Sequence, residues 1–532
     1  MSSLTSSQTL PTGFARAIIV ITTISAAIME LIDTSIVNVA LSDISGNLGA
    51  TIEDTAWVVT GYAIANVIII PLTGFLAKLF GRKNYYIASI IIFTVSSYMC
   101  GQAGSLTMLV LWRFVQGVGG GALLSTSQGI LFDSFEPSKR PMASAMFGMG
   151  IVLGPTIGPI LGGIIVDNYS WPLIFYINIP FGIVATLLTL RFIPKTEDEK
   201  NPNREKPEID YLGIAFLATG VGSLQYVLER GETDDWFNDR MIVLMSFVAA
   251  FGLIAFVYRE LTVAKPMIHL EVMKRRNLWA SNILTFAVGF GMFGSVFVFP
   301  VLVQRILGYT PTDAGFGLVP GAIAAILVMP FIGRSLGAGV PPLVFVVIGF
   351  TLFILHGYTS SFVTPDVGLP FFTIPQIFRG VGTACLTVPL INQAMVGLSP
   401  QEMPSGIALT NMLRQLGGAF GIAVMNTYVA HRYVQHRTDL ISNLQANDPN
   451  LIQRLAQSQA GATTLGVNSL QSADFSYRIL DLNVTKQAYL LSYADCFVLL
   501  SLFFICAIPF MFLLRTKKVD KATMQKIAEE SH

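Results

Sequence analysis

The chain has 532 residues, 53% of them hydrophobic and only 12% charged, with a formal net charge of +1. A soluble domain carries about 25% charged residues, so a deficit spread over the whole length, with a mean hydropathy of +0.62, points to a polytopic membrane protein and away from a soluble enzyme. The neutral balance offers nothing to nucleic acid, and the four cysteines (Cys100, Cys385, Cys496, Cys506) sit in or at the ends of apolar runs, without metal spacing or a disulfide framework.

Fourteen apolar runs are long enough to cross a bilayer: 15–41, 56–77, 84–103, 106–131, 141–166, 171–193, 210–229, 240–260, 278–303, 313–333, 340–358, 369–395, 404–428 and 488–514. Helices are the expected form, because backbone polar groups must be satisfied within lipid and nothing alternates like barrel strands. The first run is too long for a cleavable signal and no small-residue site follows it, so it reads as a retained first span.

Span 1 carries Glu30 and Asp33 inside its apolar run. A carboxylate there costs on the order of 2.5–3.5 kcal/mol on insertion scales. At i and i+3 the two acids share one helical face, which must look at a polar path or at positive partners. Span 4 supplies Arg113, seven residues from its outer end (113 − 106), while Asp33 is eight from the outer end of span 1 (41 − 33). The two lie at similar depth, so an Asp33–Arg113 pair is expected, with Glu30 one turn deeper and free to exchange a proton. The same pattern also suits a purely structural ion pair.

Span 5 has Gly150, Gly154, Gly158 and Gly162 on one side, with Pro155 and Pro159 between them, a flat groove for close helix contact. The charged stretch 194–209 ends the first block of six spans. In the second half Arg379 and Arg414 fall inside spans 12 and 13, and Asp495 early in span 14, which suggests a charged pathway or an internal network. Asn38, Asn66, Gln116, Gln128, Gln376, Asn392, Asn411 and Gln415 are candidates to line a cavity, although each singly also suits an interhelical hydrogen bond. Phe290, Met292, Phe293, Phe297 and Phe299 of span 9 offer an adaptable apolar wall or ordinary packing. The long polar segment 431–486 has regular apolar spacing and reads as partly helical.

Sixteen Lys and Arg fall in one set of short loops and span ends, against Arg230, Arg240 and Arg305 in the other. Adding five from the long segment after span 13 leaves sixteen against eight. The rich side is expected to be cytoplasmic, with both termini inside. The chain also repeats. Gln116-Gly117-Val118-Gly119 and Arg379-Gly380-Val381-Gly382 are offset by 380 − 117 = 263, and the same offset carries Pro137, Pro141, Gly154 and Gly158 onto Pro400, Pro404, Gly417 and Gly421. The organisation expected is a six-helix bundle over 1–193, a linker with two inserted helices over 194–277, a second six-helix bundle over 278–514 that includes an outer segment 430–487, and a tail over 515–532. Repeated halves around a midplane site are a transporter architecture.

Several stretches then fit one family. Ile32 through Leu41 matches the first-span signature LDxxIVNVAL, with Ile32 in place of its opening Leu; Trp57 through Tyr62 opens span 2; Leu109 through Gly117 matches LxxxRxxQG; Gly150 through Gly163, centred on Gly154-Pro155, matches an antiporter motif; and Trp171 with Phe175 through Pro180 leads into span 6. The chain resembles the major facilitator superfamily in its fourteen-span drug:proton antiporter branch, most nearly the EmrB-type multidrug exporters. In the loop over Gly74, Lys78, Gly81 and Arg82, Lys78 stands where the superfamily pattern has Asp and Leu79 where it has a basic residue. The EmrB-type exporters show the same kind of replacement.

The resemblance implies an all-α major facilitator fold with fourteen transmembrane helices, and a proton-driven exporter of hydrophobic and amphipathic compounds in a bacterial cytoplasmic membrane. It implies no cofactor beyond the proton gradient. It also implies a periplasmic adaptor (membrane fusion) protein and an outer-membrane channel as partners, with 430–487 as the docking surface. Glu30, Asp33 and Arg113 are then the proton-coupling residues. The alternatives are an exporter of a dedicated metabolite or siderophore, or a nutrient symporter, which the Gly154-Pro155 motif opposes. The five histidines (His269, His356, His431, His436, His532) are scattered, and no catalytic constellation appears.

Overall fold

The computed structural model describes residues 13–196, 199, 207–399, 401–445, 447–464 and 468–514. Those residues form a helical protein without strands. The main helices are α1 (Gly13–Leu48), α2 (Trp57–Phe80), α3 (Arg82–Gly101), α4 (Leu106–Asp133), α5 (Arg140–Asn168), α6 (Asn178–Phe192), α7 (Tyr211–Arg230), α8 (Arg240–Thr262), α9 (Arg276–Val301), α10 (Pro311–Gly337), α11 (Pro342–Ser360), α12 (Thr373–Met395), α13 (Met403–Ser442), α14 (Pro449–Thr464) and α15 (Ser469–Met511). Twelve helices among the described residues are long and apolar enough to cross a membrane. The expected spans 3 and 13 are helices too, α3 and α13, long enough but below that apolar content. The tail 515–532 and Pro400 lie outside the described residues, as does most of the charged linker.

Helix ends follow local chemistry. Ser105 caps α4 by accepting from the Met108 amide, and Asp239 caps α8 by accepting from Met241 and Ile242. Thr310 and Asp313 close a capping box on α10, with Pro311 in its first turn. Gly81 has φ of 88°, a left-handed turn that lets α3 fold straight back from α2.

The two bundles repeat one packing scheme. In the first, α1 packs on α5, α6 and α4, while α2 and α3 flank α4. In the second, α9 packs on α13, α10 and α11 flank α12, and α15 closes the bundle against α13 and α11. Gly154 and Gly158 of α5 meet Leu31 and Ile32 of α1, and at the same offset Gly417 and Gly421 of α13 meet Phe286 and Phe290 of α9. The bundles face one another along α5–α10 and α2–α13. The inserted pair α7–α8 leans on α2 and α13, so it spans the seam between the bundles.

The ends of the molecule differ. At the end rich in Lys and Arg, side chains of both bundles merge into one apolar cluster, among them Phe75, Phe132, Phe147, Ile391, Met395, Met403 and Ile407. At the opposite end each bundle keeps its own core, Ile36 with Trp171 and Phe175 in one and Phe299 with Phe372 in the other. The bundles are therefore closed on each other at the basic end.

Beyond that opposite end the helices run further than expected. The apolar runs stop at 428 and resume at 488, whereas α13 continues to Ser442 and α15 starts at Ser469, with α14 packed on α15 between them, so the segment read as partly helical is helix over most of its described length. Polar sequence kept its helical propensity outside the apolar runs, because neither proline nor glycine interrupts 429–442 or 469–487.

Close helix contact at Gly117 generates a prediction. A methyl group there would lie 2.5 Å from the Tyr62 carbonyl oxygen, which is backbone and cannot yield, whereas one at Gly150 would meet only the Ile28 and Ile24 side chains, at 3.4 Å and 3.5 Å. Gly117→Ala is expected to cost about 1–3 kcal/mol through overpacking, and Gly150→Ala to be nearly neutral, as read by thermal unfolding of the purified proteins.

Candidate functional site

The helical face carrying the two acids of α1 turns inward. Glu30 is 3% and Asp33 0% exposed. Asp33 is fully engaged: its Oδ2 accepts from Arg113 Nη1 at 2.5 Å, and its Oδ1 accepts from Gln116 Nε2 and Asn178 Nδ2, both at 2.8 Å. Arg113, 1% exposed, also donates through Nη1 to Gln116 Oε1 at 2.9 Å and through Nε to the Val58 carbonyl at 3.1 Å. Its guanidinium lies 4.1 Å from the Tyr62 ring centre and 5.7 Å from that of Phe175. Four helices, α1, α2, α4 and α6, converge on this one pair.

Glu30 is placed differently. Its Oε1 accepts from Asn66 Nδ2 at 2.9 Å and from Tyr62 Oη at 3.4 Å, while its buried Oε2 has no hydrogen-bond partner among the described residues. A positive charge acts on it from across the seam, that of Arg414 on α13 of the other bundle. Arg414 Nη2 donates to Asn411 Oδ1 at 2.8 Å, and Asn411 Nδ2 in turn reaches Ser125 Oγ at 3.1 Å and Gln128 Oε1 at 2.9 Å, both on α4. Asn66 Oδ1 and Gln128 Nε2 are also buried without partners. A polar cluster thus runs from one bundle to the other through the middle of the molecule, and its unmatched atoms are a carboxylate oxygen, a carbonyl oxygen and an amide nitrogen.

The other expected residues lie apart from this cluster. Gln376 and Arg379 sit together on α12, with Arg379 Nε donating to Gln376 Oε1 at 2.6 Å. Asn38 is exposed, beyond Asp33 on α1. Asp495 does not join Arg379 or Arg414. It lies on α15 beside the extension of α13, where it accepts from Arg432 Nε at 2.5 Å and meets His436 Nε2 at 2.7 Å. Arg432 is 18 residues beyond Arg414, about 27 Å along a helix, so Asp495 belongs to the end of the molecule and not to its middle. Gly150, Gly154, Gly158 and Gly162 all face α1, with Pro155 and Pro159 on the same helix. At the basic end Gly74 lies against Pro404 of α13, which a Cβ there would meet at 3.3 Å, and Arg82 pairs with Asp133 at the foot of α4, its amide donating to Glu199 Oε1. Lys78 lies in the last turn of α2.

Two members of the site escape a reading by charge alone. Asn178 and Tyr62 carry no charge and stand in segments that count only as motifs, Phe175 through Pro180 and Trp57 through Tyr62. Those motifs are the signal that finds them.

A family model described as "Major Facilitator Superfamily" matches residues 23–422, which is most of the chain. The chain belongs to the major facilitator superfamily. It is similar to the multidrug export protein EmrB of Escherichia coli, 32% identical over 493 residues that cover 92% of this chain and 94% of that protein. EmrB of Haemophilus influenzae is 35% identical over 426 residues, covering 80% and 82%. Among solved structures, that of human MFSD10 (TETRAN), titled an organic anion transporter, superposes with a TM-score of 0.59 at 13% identity, covering 94% of this chain and 99% of that one, a likeness of fold alone.

The unequal placement of the two acids is measurable. Removing one member of a buried ion pair costs about 3–5 kcal/mol, because its partner stays buried and uncompensated. Asp33→Asn and Arg113→Met are therefore expected to lower the thermal unfolding temperature sharply. Glu30→Gln, whose carboxyl already lacks a partner for one oxygen, is expected to leave it close to that of the parent protein.

Proposed function

We propose that the chain is a proton-coupled antiporter that exports hydrophobic and amphipathic compounds across the cytoplasmic membrane by alternating access. The observation that carries this reading is the position of Glu30: buried, half-satisfied, and opposed across the bundle seam by Arg414. The relatives' names, multidrug export proteins, support the export of many compounds rather than one.

In the proposed cycle Asp33 and Arg113 stay paired and hold α1, α2, α4 and α6 together, while Glu30 takes and releases the coupled proton. Ionised Glu30 attracts Arg414 and favours one apposition of the bundles. Neutral Glu30 releases it and favours the other, so protonation and rocking are linked. Inward movement of one charge gains about 2.3 kcal/mol per 100 mV. The basic end is read as cytoplasmic, with both termini on that side, so the form described here has its cytoplasmic end closed. The loop over Gly74, Gly81 and Arg82, with Gly74 against Pro404 of the other bundle, is read as part of that closure.

On this reading the extensions of α13 and α15, with α14, project from the outer face. They are the surface offered to a periplasmic adaptor (membrane fusion) protein and, through it, to an outer-membrane channel, in a tripartite efflux system.

The test is transport in everted membrane vesicles, acid inside, with a hydrophobic fluorescent dye added outside. An imposed proton gradient is expected to drive dye movement with the parent protein and not with Glu30→Gln, at equal amounts of folded protein in the membrane. Wild-type rates from Glu30→Gln would contradict the proposal.

A further inference from the structure

Among the described residues of the two six-helix bundles the buried charged side chains are two acids, Glu30 and Asp33, and three arginines, Arg113, Arg379 and Arg414. Asp33 answers Arg113, and Glu30 acts on Arg414 across the seam. Arg379 is left over. It is 4% exposed, ten residues (379 − 369) from the outer end of the span that begins at Leu369, and no carboxylate among the described residues pairs with it. His356, which feels its charge, donates Nδ1–H to the Pro375 carbonyl at 2.9 Å and brings no negative charge.

The internal repeat shows what is missing. The offset of 263 places Gln376 on Arg113 and Arg379 on Gln116 (113 + 263 = 376; 116 + 263 = 379). Both helices therefore carry an arginine and a glutamine three residues apart, in reversed order, and both pairs are joined by an arginine-to-amide-oxygen hydrogen bond, 2.9 Å in α4 and 2.6 Å in α12. In the first bundle the pair is completed by Asp33 from α1. The counterpart of α1 is α9, by its packing on Gly417 and Gly421, and α9 contains no Asp or Glu. The second bundle has the arginine–glutamine half of the arrangement without its acid.

The atoms left over are all donors. Nη1 and Nη2 of Arg379 and Nε2 of Gln376 have no acceptor among the described residues. Beside them α10 comes to backbone distance at Gly321, where a Cβ would press on the Gln376 carbonyl oxygen and lie 3.5 Å from Arg379 Nη2. A guanidinium fork beside an amide N–H, in a low-dielectric interior, selects a ligand with two oxygen acceptors and a negative charge.

We propose that Arg379 and Gln376 bind the carboxylate, or an equivalent oxyanion, of an exported amphipath, in the place that Asp33 occupies in the first bundle. The proposal rests on the export reading for the apolar remainder of the ligand, and it adds the head group: the compounds held most tightly are amphipathic anions. The arrangement also separates tasks. The proton is handled on α1, and the anion is held on the α12 side of the second bundle, so neither need displace the other from its own residues.

The test uses the purified full-length protein in detergent at pH 8, with no gradient, and three ligands that share one apolar body: 4-butylbenzoate, 4-butylbenzyl alcohol and 4-butylbenzylammonium. The parent protein is expected to bind the benzoate at least about tenfold more tightly than the other two, the worth of a charge-assisted hydrogen-bond pair. Arg379→Gln is expected to abolish that preference while keeping the affinity for the alcohol. Gln376→Glu guards against a folding defect, because its new acid pairs with Arg379 as Asp33 pairs with Arg113; it is expected to keep the unfolding temperature and lose the benzoate. Equal affinity of the parent for all three ligands, or a preference that survives Arg379→Gln, overturns the proposal. So does displacement of the benzoate by chloride at equal concentration, which marks a site for an inorganic counter-ion only. A preference that depends on Arg379, found without proton-driven transport in vesicles, sinks the export reading and leaves the anion site standing. Transport without any preference does the reverse.

Discussion

A charge buried in hydrocarbon must be matched, and the Asp33–Arg113 pair is where this chain matches one completely. Both Asp33 oxygens are occupied, and Arg113 is shared among a carboxylate, an amide oxygen, a backbone carbonyl and an aromatic face. The groups come from four helices of one bundle, so the pair acts as a fixed joint. A rigid bundle is what alternating access requires, because the movement then belongs to the seam between bundles and not to the interior of either.

At that seam the chemistry is deliberately incomplete. Glu30, Asn66 and Gln128 each keep one buried polar atom without a partner, while Asn411 and Arg414 reach over from the other bundle. Unmatched polar atoms at a moving interface are cheap to rearrange, and a fully satisfied network there would lock it. The glycine faces complete the division of labour. They let α5 lie on α1 and α13 on α9 at backbone distance, so each bundle is tight within itself, and the closure at the basic end is made of apolar side chains that can part without leaving unsatisfied groups.

Much of this is legible in the sequence where the signal is local. Two acids one turn apart in an apolar run, an arginine at matching depth, glycines every four residues and one offset running through two spans and their loop all follow from periodicity and cost in lipid. The relation of Glu30 to Arg414 does not, since nothing in a one-dimensional reading sets the rotation of α13 against α1 across 384 positions (414 − 30). Asp495 misleads for a related reason. Hydropathy marks where a helix leaves lipid and not where it ends, so the apolar spacing of 431–486 shows that there is helix there but not that it continues α13 and α15, and Asp495 is placed with the buried arginines when its partners, Arg432 and His436, lie on the extension of α13. Asn178 is hidden because an amide is unremarkable until an acid from another helix is placed on it.

The central claim is that Glu30 carries the exchangeable proton while Asp33 stays in its ion pair with Arg113. Proton release on adding a transported compound to the purified protein, followed with a pH-sensitive dye in weakly buffered solution, addresses it directly. The account predicts release from the parent protein that rises with ligand to saturation and is absent from Glu30→Gln at full ligand binding. Undiminished release from Glu30→Gln would contradict it.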